Sequence, residues 1–124
     1  HAVEIRNELK SETLILGNGD ATGIDDARRK YKETGCDGVM LGRAIFGNPW
    51  LFSEKVPTVE ERLRVLVEHC KLFEELLGGV KNFAIMKKHF KAYLNGFDGL
   101  AELRQELMKT NAAQEVEEII SKYR

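Results

Sequence analysis

The rhythm of apolar positions changes once along the chain, near Pro57. Before it, short apolar runs alternate with one amphipathic stretch. Thr13-Leu14-Ile15-Leu16 runs into Gly17 without the polar alternation of a half-exposed strand, which predicts a strand buried on both faces. Gly17-Asn18-Gly19-Asp20 forms a turn, and residues 24–34 then bring Ile24, Ala27 and Tyr31 to one helical face. Gly35 stands where a left-handed helix cap belongs. Val39-Met40-Leu41 predicts a second strand, ended by Gly42-Arg43, with a short helix and Asn48-Pro49-Trp50-Leu51-Phe52 after it. Residues 2–10 carry Val3 and Ile5 to Leu9 at helical spacing and read as a helix cut short.

Strand, glycine turn and helix, twice over, predict a βαβα unit with a right-handed parallel crossover. Two parallel strands leave both edges bare, so flanking strands from a longer chain are expected. Trp50 and Phe52, bracketed by Pro49 and Pro57, are expected to pack the junction with the helices beyond Pro57.

After Pro57 only helical spacing remains. Thr58-Val59-Glu60-Glu61 is a capping box, and Leu63, Leu66, Val67, Cys70, Phe73 and Leu77 form one apolar face up to Gly78-Gly79. A second helix, near residues 80–95, buries Phe83, Met86, Phe90, Tyr93 and Leu94. Leu100, Leu103 and Leu107 mark a third, and Asn111 with Gln114 opens a fourth with Ala112, Val116, Ile119, Ile120 and Tyr123 inward. Four short amphipathic helices on short links predict a small bundle. The fold class is thus α/β followed by all-α, with residues 1–56 as one domain and 57–124 as the other.

Composition changes this picture little. Apolar residues make up 43% and charged residues 31% of the 124, the balance of an ordinary folded chain. No apolar run approaches the roughly 20 residues of a membrane helix, so no membrane partner is expected. Cys36 and Cys70 have neither metal-ligand spacing nor the density of a disulfide scaffold, so no metal is expected and a reducing cytoplasm is. A net charge of −1 gives no global reason to expect nucleic acid.

Locally the charge is uneven. Lys81, Lys87, Lys88 and Lys91 fall on one side of the second helix, opposite Phe83, Met86, Phe90 and Tyr93, with no acid between Leu76 and Phe97 and no aromatic interleaved. Such a stripe can neutralise phosphates and release counterions, or it can be a solvated helix face. The glycine turns carry a second possible chemistry. Glycine lets backbone N–H groups approach a phosphate, a helix start adds partial positive charge, and Arg43 adds a forked donor. Asp20 cannot favour an anion by charge and is expected to accept backbone N–H groups and hold the turn. Taken singly, the same glycines could simply permit tight turns.

The runs Ile15-Leu16-Gly17-Asn18-Gly19-Asp20, Thr34-Gly35-Cys36-Asp37-Gly38-Val39-Met40-Leu41-Gly42-Arg43 and Gly47-Asn48-Pro49-Trp50 resemble the closing barrel segment of tRNA-dihydrouridine synthases. The resemblance implies the last βα units of a (β/α)8 TIM barrel, with Asn18, Gly19, Asp20, Gly42 and Arg43 at the phosphate of flavin mononucleotide (FMN). Met86-Lys87-Lys88-His89-Phe90 and Tyr93-Leu94-Asn95-Gly96 are similar to the family's helical domain. This implies a grip on tRNA by Lys81, Lys87, Lys88, His89 and Lys91. The implied reaction reduces uridine in tRNA to dihydrouridine, with NADPH as reductant and a cysteine as proton donor. That cysteine belongs to an upstream loop, so no catalytic residue is expected here, and the rest of the barrel is needed upstream. A different flavin or phosphate barrel, such as a dihydroorotate dehydrogenase-like enzyme, and a non-catalytic interaction module stay open at this point.

Overall fold

The computed structural model describes residues 1–53, 55–96 and 99–123. The chain divides into two compact units. One comprises His1–Ile45 with Pro49–Lys55; the other comprises Phe46–Asn48 with the chain from Val56 onward.

In the first unit, α1 (Ala2–Glu8) precedes β1 (Leu16–Gly17), α2 (Ile24–Thr34) and β2 (Gly38–Val39), with short 3-10 turns at Arg43–Ile45 and Leu51–Ser53. The strands pair in parallel, Leu16 opposite Gly38 and Gly17 opposite Val39. Met40 N–H donates to the Gly17 carbonyl at 2.8 Å and Asp37 N–H to the Ile15 carbonyl at 2.8 Å, so the ladder runs slightly past both strands. The Asp37 carboxylate closes the same edge by accepting Ile15 N–H at 2.8 Å and pairing with Arg6 of α1. Those two contacts, the Ile15 N–H first, hold its carboxyl below the usual range. α2 ends as its sequence dictates: Gly35 takes φ +65° and its N–H returns to the Tyr31 carbonyl.

Burial in this unit departs from the sequence reading. Leu14 is 74% and Leu16 64% exposed, and Met40 and Tyr31 also stand open, so the first strand is not covered on both faces. The reason is geometric, since one helix cannot screen both faces of a two-stranded ladder. The enclosed residues are instead Ala21, Cys36 and Leu51. Cys36 is held structurally, its Sγ donating to the Gly38 carbonyl at 3.2 Å and meeting Thr34 Oγ1 at 3.1 Å. Phe52 lies in an open apolar groove with Ile24, Ala27, Tyr31, Val39 and Leu41 of its own unit.

The second unit is helical: α3 (Val59–Leu77), a 3-10 turn (Phe83–Met86) running into α4 (Lys87–Leu94), α5 (Ala101–Leu107) and α6 (Ala113–Tyr123). Thr58 and Glu61 form the expected capping box, with Thr58 Oγ1 accepting Glu61 N–H and Glu61 accepting Thr58 N–H. α3 packs on α4 and α6, and α5 packs on the same two helices. Leu66, Cys70, Met86, Phe90, Leu103, Leu107 and Val116 fill the space between them. Side chains of this size each contribute roughly 1.5–3 kcal/mol when fully enclosed.

Two details correct the sequence reading. The second helix does not start near Val80, because Asn82 Oδ1 accepts Ala84 N–H at 2.8 Å and starts the helical turn at Phe83. Lys81 therefore precedes the helix rather than sharing a face with Lys87, Lys88 and Lys91. At the fourth helix, Glu115 rather than Gln114 reaches back to Asn111 N–H at 2.8 Å. Glu74 of α3 also accepts Ala113 N–H at 2.8 Å, a cap supplied from another helix.

The segment Phe46–Asn48 lies on α4. Gly47, at φ +70°, sits so close that a Cβ there would be 2.4 Å from the Ala92 carbonyl carbon and 2.6 Å from the Tyr93 nitrogen. Only glycine fits this approach.

Candidate functional site

Each unit carries one of the two groups of residues singled out in the sequence. In the first, a paired contact joins the turns after β1 and β2. Arg43 Nε–H donates to Asp20 Oδ1 at 3.0 Å, and Arg43 Nη2 lies 2.6 Å from Asp20 Oδ2. Asp20 reaches this position from a left-handed backbone, φ +53°. Both side chains are largely exposed, so the pair adds little to stability. Its consequence is orientation: two donors of the guanidinium are fixed on Asp20, and the Nη1 side of the fork faces elsewhere. Gly19 and Gly42 are open, with nothing within 4 Å of where a Cβ would stand. Asn18 is exposed in the same turn as Gly19. Asp20, Arg43 and their glycines thus belong to one arrangement.

The backbone-holding role expected of Asp20 falls to Asp26, whose Oδ2 accepts Thr22 N–H at 3.0 Å. Lys30, one turn further along α2, donates from Nζ to the Gly19 carbonyl at 2.6 Å and lies 3.3 Å from Asp26. Thr22 N–H first, and then Arg29 at 2.6 Å, draw the Asp26 carboxyl down to about 2. Sequence reading missed both residues. The signal was Asp26 in the first turn of a predicted helix, one turn after Thr22. Asp25 and Asp26 also oppose the positive end of α2, so an anion here would rest on Gly19, Gly42 and Arg43 rather than on that helix start.

In the helical unit, Lys87 is half-buried while Lys88 and Lys91 are exposed on α4. Lys81 is set apart, lining a hollow with Phe73, Glu74, Phe83 and Asn111. His89 is half-buried and meets two rings edge-on: Phe46 at 5.3 Å between centroids and 83°, and His69 of α3 at 4.9 Å and 60°. Tyr93 Oη lies 3.4 Å from His69 Nδ1. Lys88 Nζ stands 5.5 Å from the Phe46 centroid, within cation–π range. The lysine face therefore does have an aromatic beside it, brought from a distant part of the chain. Burial pulls His69 below the ordinary histidine value. Burial first, then the charges of His69 and Lys88, pull His89 down as well. Cys70 is pushed up to about 12 by burial and by Glu74, so it stays a thiol at neutral pH and is no nucleophile.

Among the described residues, no group of three or more His, Cys, Asp or Glu is placed to hold a metal ion. No helix among them is long and apolar enough to cross a membrane.

Comparison with known proteins adds the rest. A family model described as dihydrouridine synthase matches residues 2–123. A probable tRNA-dihydrouridine synthase of Staphylococcus epidermidis is 34% identical over 123 residues, covering 96% of this chain and 37% of that protein. One from Staphylococcus aureus is matched to the same extent. One from Mycobacterium leprae is 34% identical over 119 residues, covering 87% of this chain and 31% of that protein. The chain thus spans about a third of the length of the relatives it matches.

Proposed function

Because the chain belongs to the dihydrouridine synthase family, we propose that it is part of an enzyme reducing uridine in tRNA to 5,6-dihydrouridine, with FMN as cofactor and NADPH as reductant. Residues 1–56 are the closing segment of the flavin-binding TIM barrel, and residues 57–124 are a small four-helix bundle that binds tRNA. The enzyme is cytoplasmic. The exposed Leu14, Leu16 and Met40 are surfaces on which the remaining strands and helices of the barrel lie.

The observation that carries this reading is the Asp20–Arg43 pair, which draws together the two glycine turns. The donor set suits a phosphate: open backbone at Gly19 and Gly42, a neighbouring Asn18, and a guanidinium oriented from one side. Bound there, FMN supplies hydride transfer to the target base. This chain's own residues hold and orient it. Asp20 positions Arg43, and Lys30 pins the Gly19 carbonyl toward α2, which sets the direction of the turn's N–H groups. Neither cysteine is catalytic: Cys36 is spent on backbone contacts and Cys70 is a buried, protonated thiol. The proton donor lies outside this chain.

Lys87, Lys88 and Lys91 contact RNA phosphates, with His89 beside them and Lys81 at the margin. Lysine is a flexible point charge, suited to backbone contact more than to base edges.

The test is NADPH-dependent formation of dihydrouridine in unmodified tRNA by the full-length protein. Arg43→Ala should weaken flavin binding by about 1.5–3 kcal/mol, the range for a charged hydrogen bond. Gln at positions 87, 88 and 91 should weaken tRNA binding and flatten its salt dependence by roughly one unit per lost contact. No dihydrouridine, or unchanged flavin and tRNA affinities in these variants, would contradict the proposal.

A further inference from the structure

Phe46, His69, His89 and Tyr93 form a connected cluster of rings beside the lysines of α4. Two imidazoles 4.9 Å apart repel if both are charged, and the Lys88 ammonium beside Phe46 adds to that repulsion. The neighbouring groups offer little compensation. On α4 and in Phe46–Asn48 there is no acid. On α3, Glu68 is engaged by Arg64 at 2.6 Å, and Cys70 stays a neutral thiol. The Tyr93 hydroxyl is kept protonated, by burial first and then by Cys70 and Glu68. At neutral pH both histidines are therefore uncharged, and only an anion arriving from outside reverses the balance.

We propose that His89 is a proton-linked contact for an RNA phosphate, taking up one proton from solvent as the phosphate docks beside Lys88, with His69 and Phe46 as its positioning residues. The inference rests on the reading that this face of α4 meets RNA, and it adds His69 and Phe46 to the residues that shape the contact. The lysines provide charge that is always present. His89 provides charge that appears only when a phosphate is seated, because a negative neighbour favours the protonated imidazole. Phosphate binding and protonation must then strengthen each other by the same factor. Phe46 holds the imidazole edge-on from one side and His69 from another, so the ring is presented in one orientation.

The test measures binding of an unmodified tRNA transcript to the full-length protein at fixed salt between pH 6 and 8.5. Affinity should fall as pH rises, approaching about tenfold per unit where one proton is linked. His89→Gln should flatten that dependence, with the loss greatest at low pH. His69→Gln should move the steep region to higher pH by removing the competing imidazole. In the unsubstituted protein, the midpoint of the His89 imidazole NMR signal should rise when the transcript is added, a readout no purely structural role would produce. An unmoved midpoint, or a His89→Gln variant with the original pH dependence while the α4 lysines still matter, overturns this inference alone. Binding that ignores Lys87→Gln, Lys88→Gln and Lys91→Gln together overturns the RNA reading of the helix and this inference with it.

Discussion

Alanine at Gly47 should undo the docking of Phe46–Asn48 on α4. Two costs add at this position. The backbone sits at φ +70°, where a side chain costs roughly 1–2 kcal/mol. The new Cβ would also stand 2.4–2.6 Å from three backbone atoms of Ala92 and Tyr93, which cannot move aside as a flexible side chain would. Overpacking of this kind costs about 1–3 kcal/mol, so the total is about 2–5 kcal/mol. Gly96 supplies the control: it has φ +85° but nothing within 4 Å of its would-be Cβ, so Gly96→Ala bears only the first cost. Hydrogen exchange of the α4 amides in the full-length protein reads the difference as local opening. Gly47→Ala should speed exchange over Gly96→Ala by about 5- to 150-fold, the equivalent of 1–3 kcal/mol. Equal protection in the two variants would refute the close approach of Gly47 to α4.

Other consequences rest on single contacts. Glu74→Ala should destabilise the helical unit by about 0.5–2 kcal/mol, the range for a lost helix cap. Glu74→Gln, which keeps an acceptor for Ala113 N–H, should cost less in thermal unfolding, and equal losses would count against the cap. His69 and His89 are both held below their unfolded values, so the unfolded chain binds protons first as pH falls. Their contribution to stability is present above the unfolded value near 6.5 and is lost as pH falls below it. The unit should therefore melt more easily at pH 5 than at pH 7.5, and a double Gln substitution at 69 and 89 should remove most of that difference. Asp26, with its carboxyl drawn to about 2, should hold the Thr22 turn above 3.8 and release it as pH falls toward 2. Asp26→Asn should accordingly speed exchange at Thr22 N–H at neutral pH; an unchanged rate would count against that anchor.

The features legible in the sequence were local. The helix over residues 24–34, its left-handed Gly35 and the Thr58–Glu61 box rest on signals within a few residues of each other, and the structure reproduces them. The apolar stripe from Leu63 to Phe73 was legible for the same reason, since helical spacing shows which face is buried. The features that escaped depend on partners far apart in the chain or on competition between neighbouring caps. Nothing near Ala113 announces that Glu74 will cap it, and nothing near Lys88 announces Phe46. Asn82 takes the helix start from Val80 through one side-chain bond, and Lys81 falls outside as a result. At the glycine turns, residue types suggested an anion site, but only the folded chain shows Asp20 occupied with Arg43 while Asp26 and Lys30 hold the backbone. The apolar runs at Leu14–Leu16 and Val39–Leu41 were legible as strand material, yet their exposure depends on how many layers surround them.

The proposed function requires one chain to carry both a flavin-phosphate corner and a tRNA grip. Hydrogen exchange of the full-length protein, recorded alone, with FMN and with unmodified tRNA, tests both halves in a single measurement. FMN should slow exchange at Asn18–Asp20 and Gly42–Arg43 while leaving the α4 amides unchanged. Unmodified tRNA should slow exchange across Lys87–Lys91. Protection that leaves residues 18–20 and 42–43 untouched by FMN, or Lys87–Lys91 untouched by tRNA, would contradict the claim.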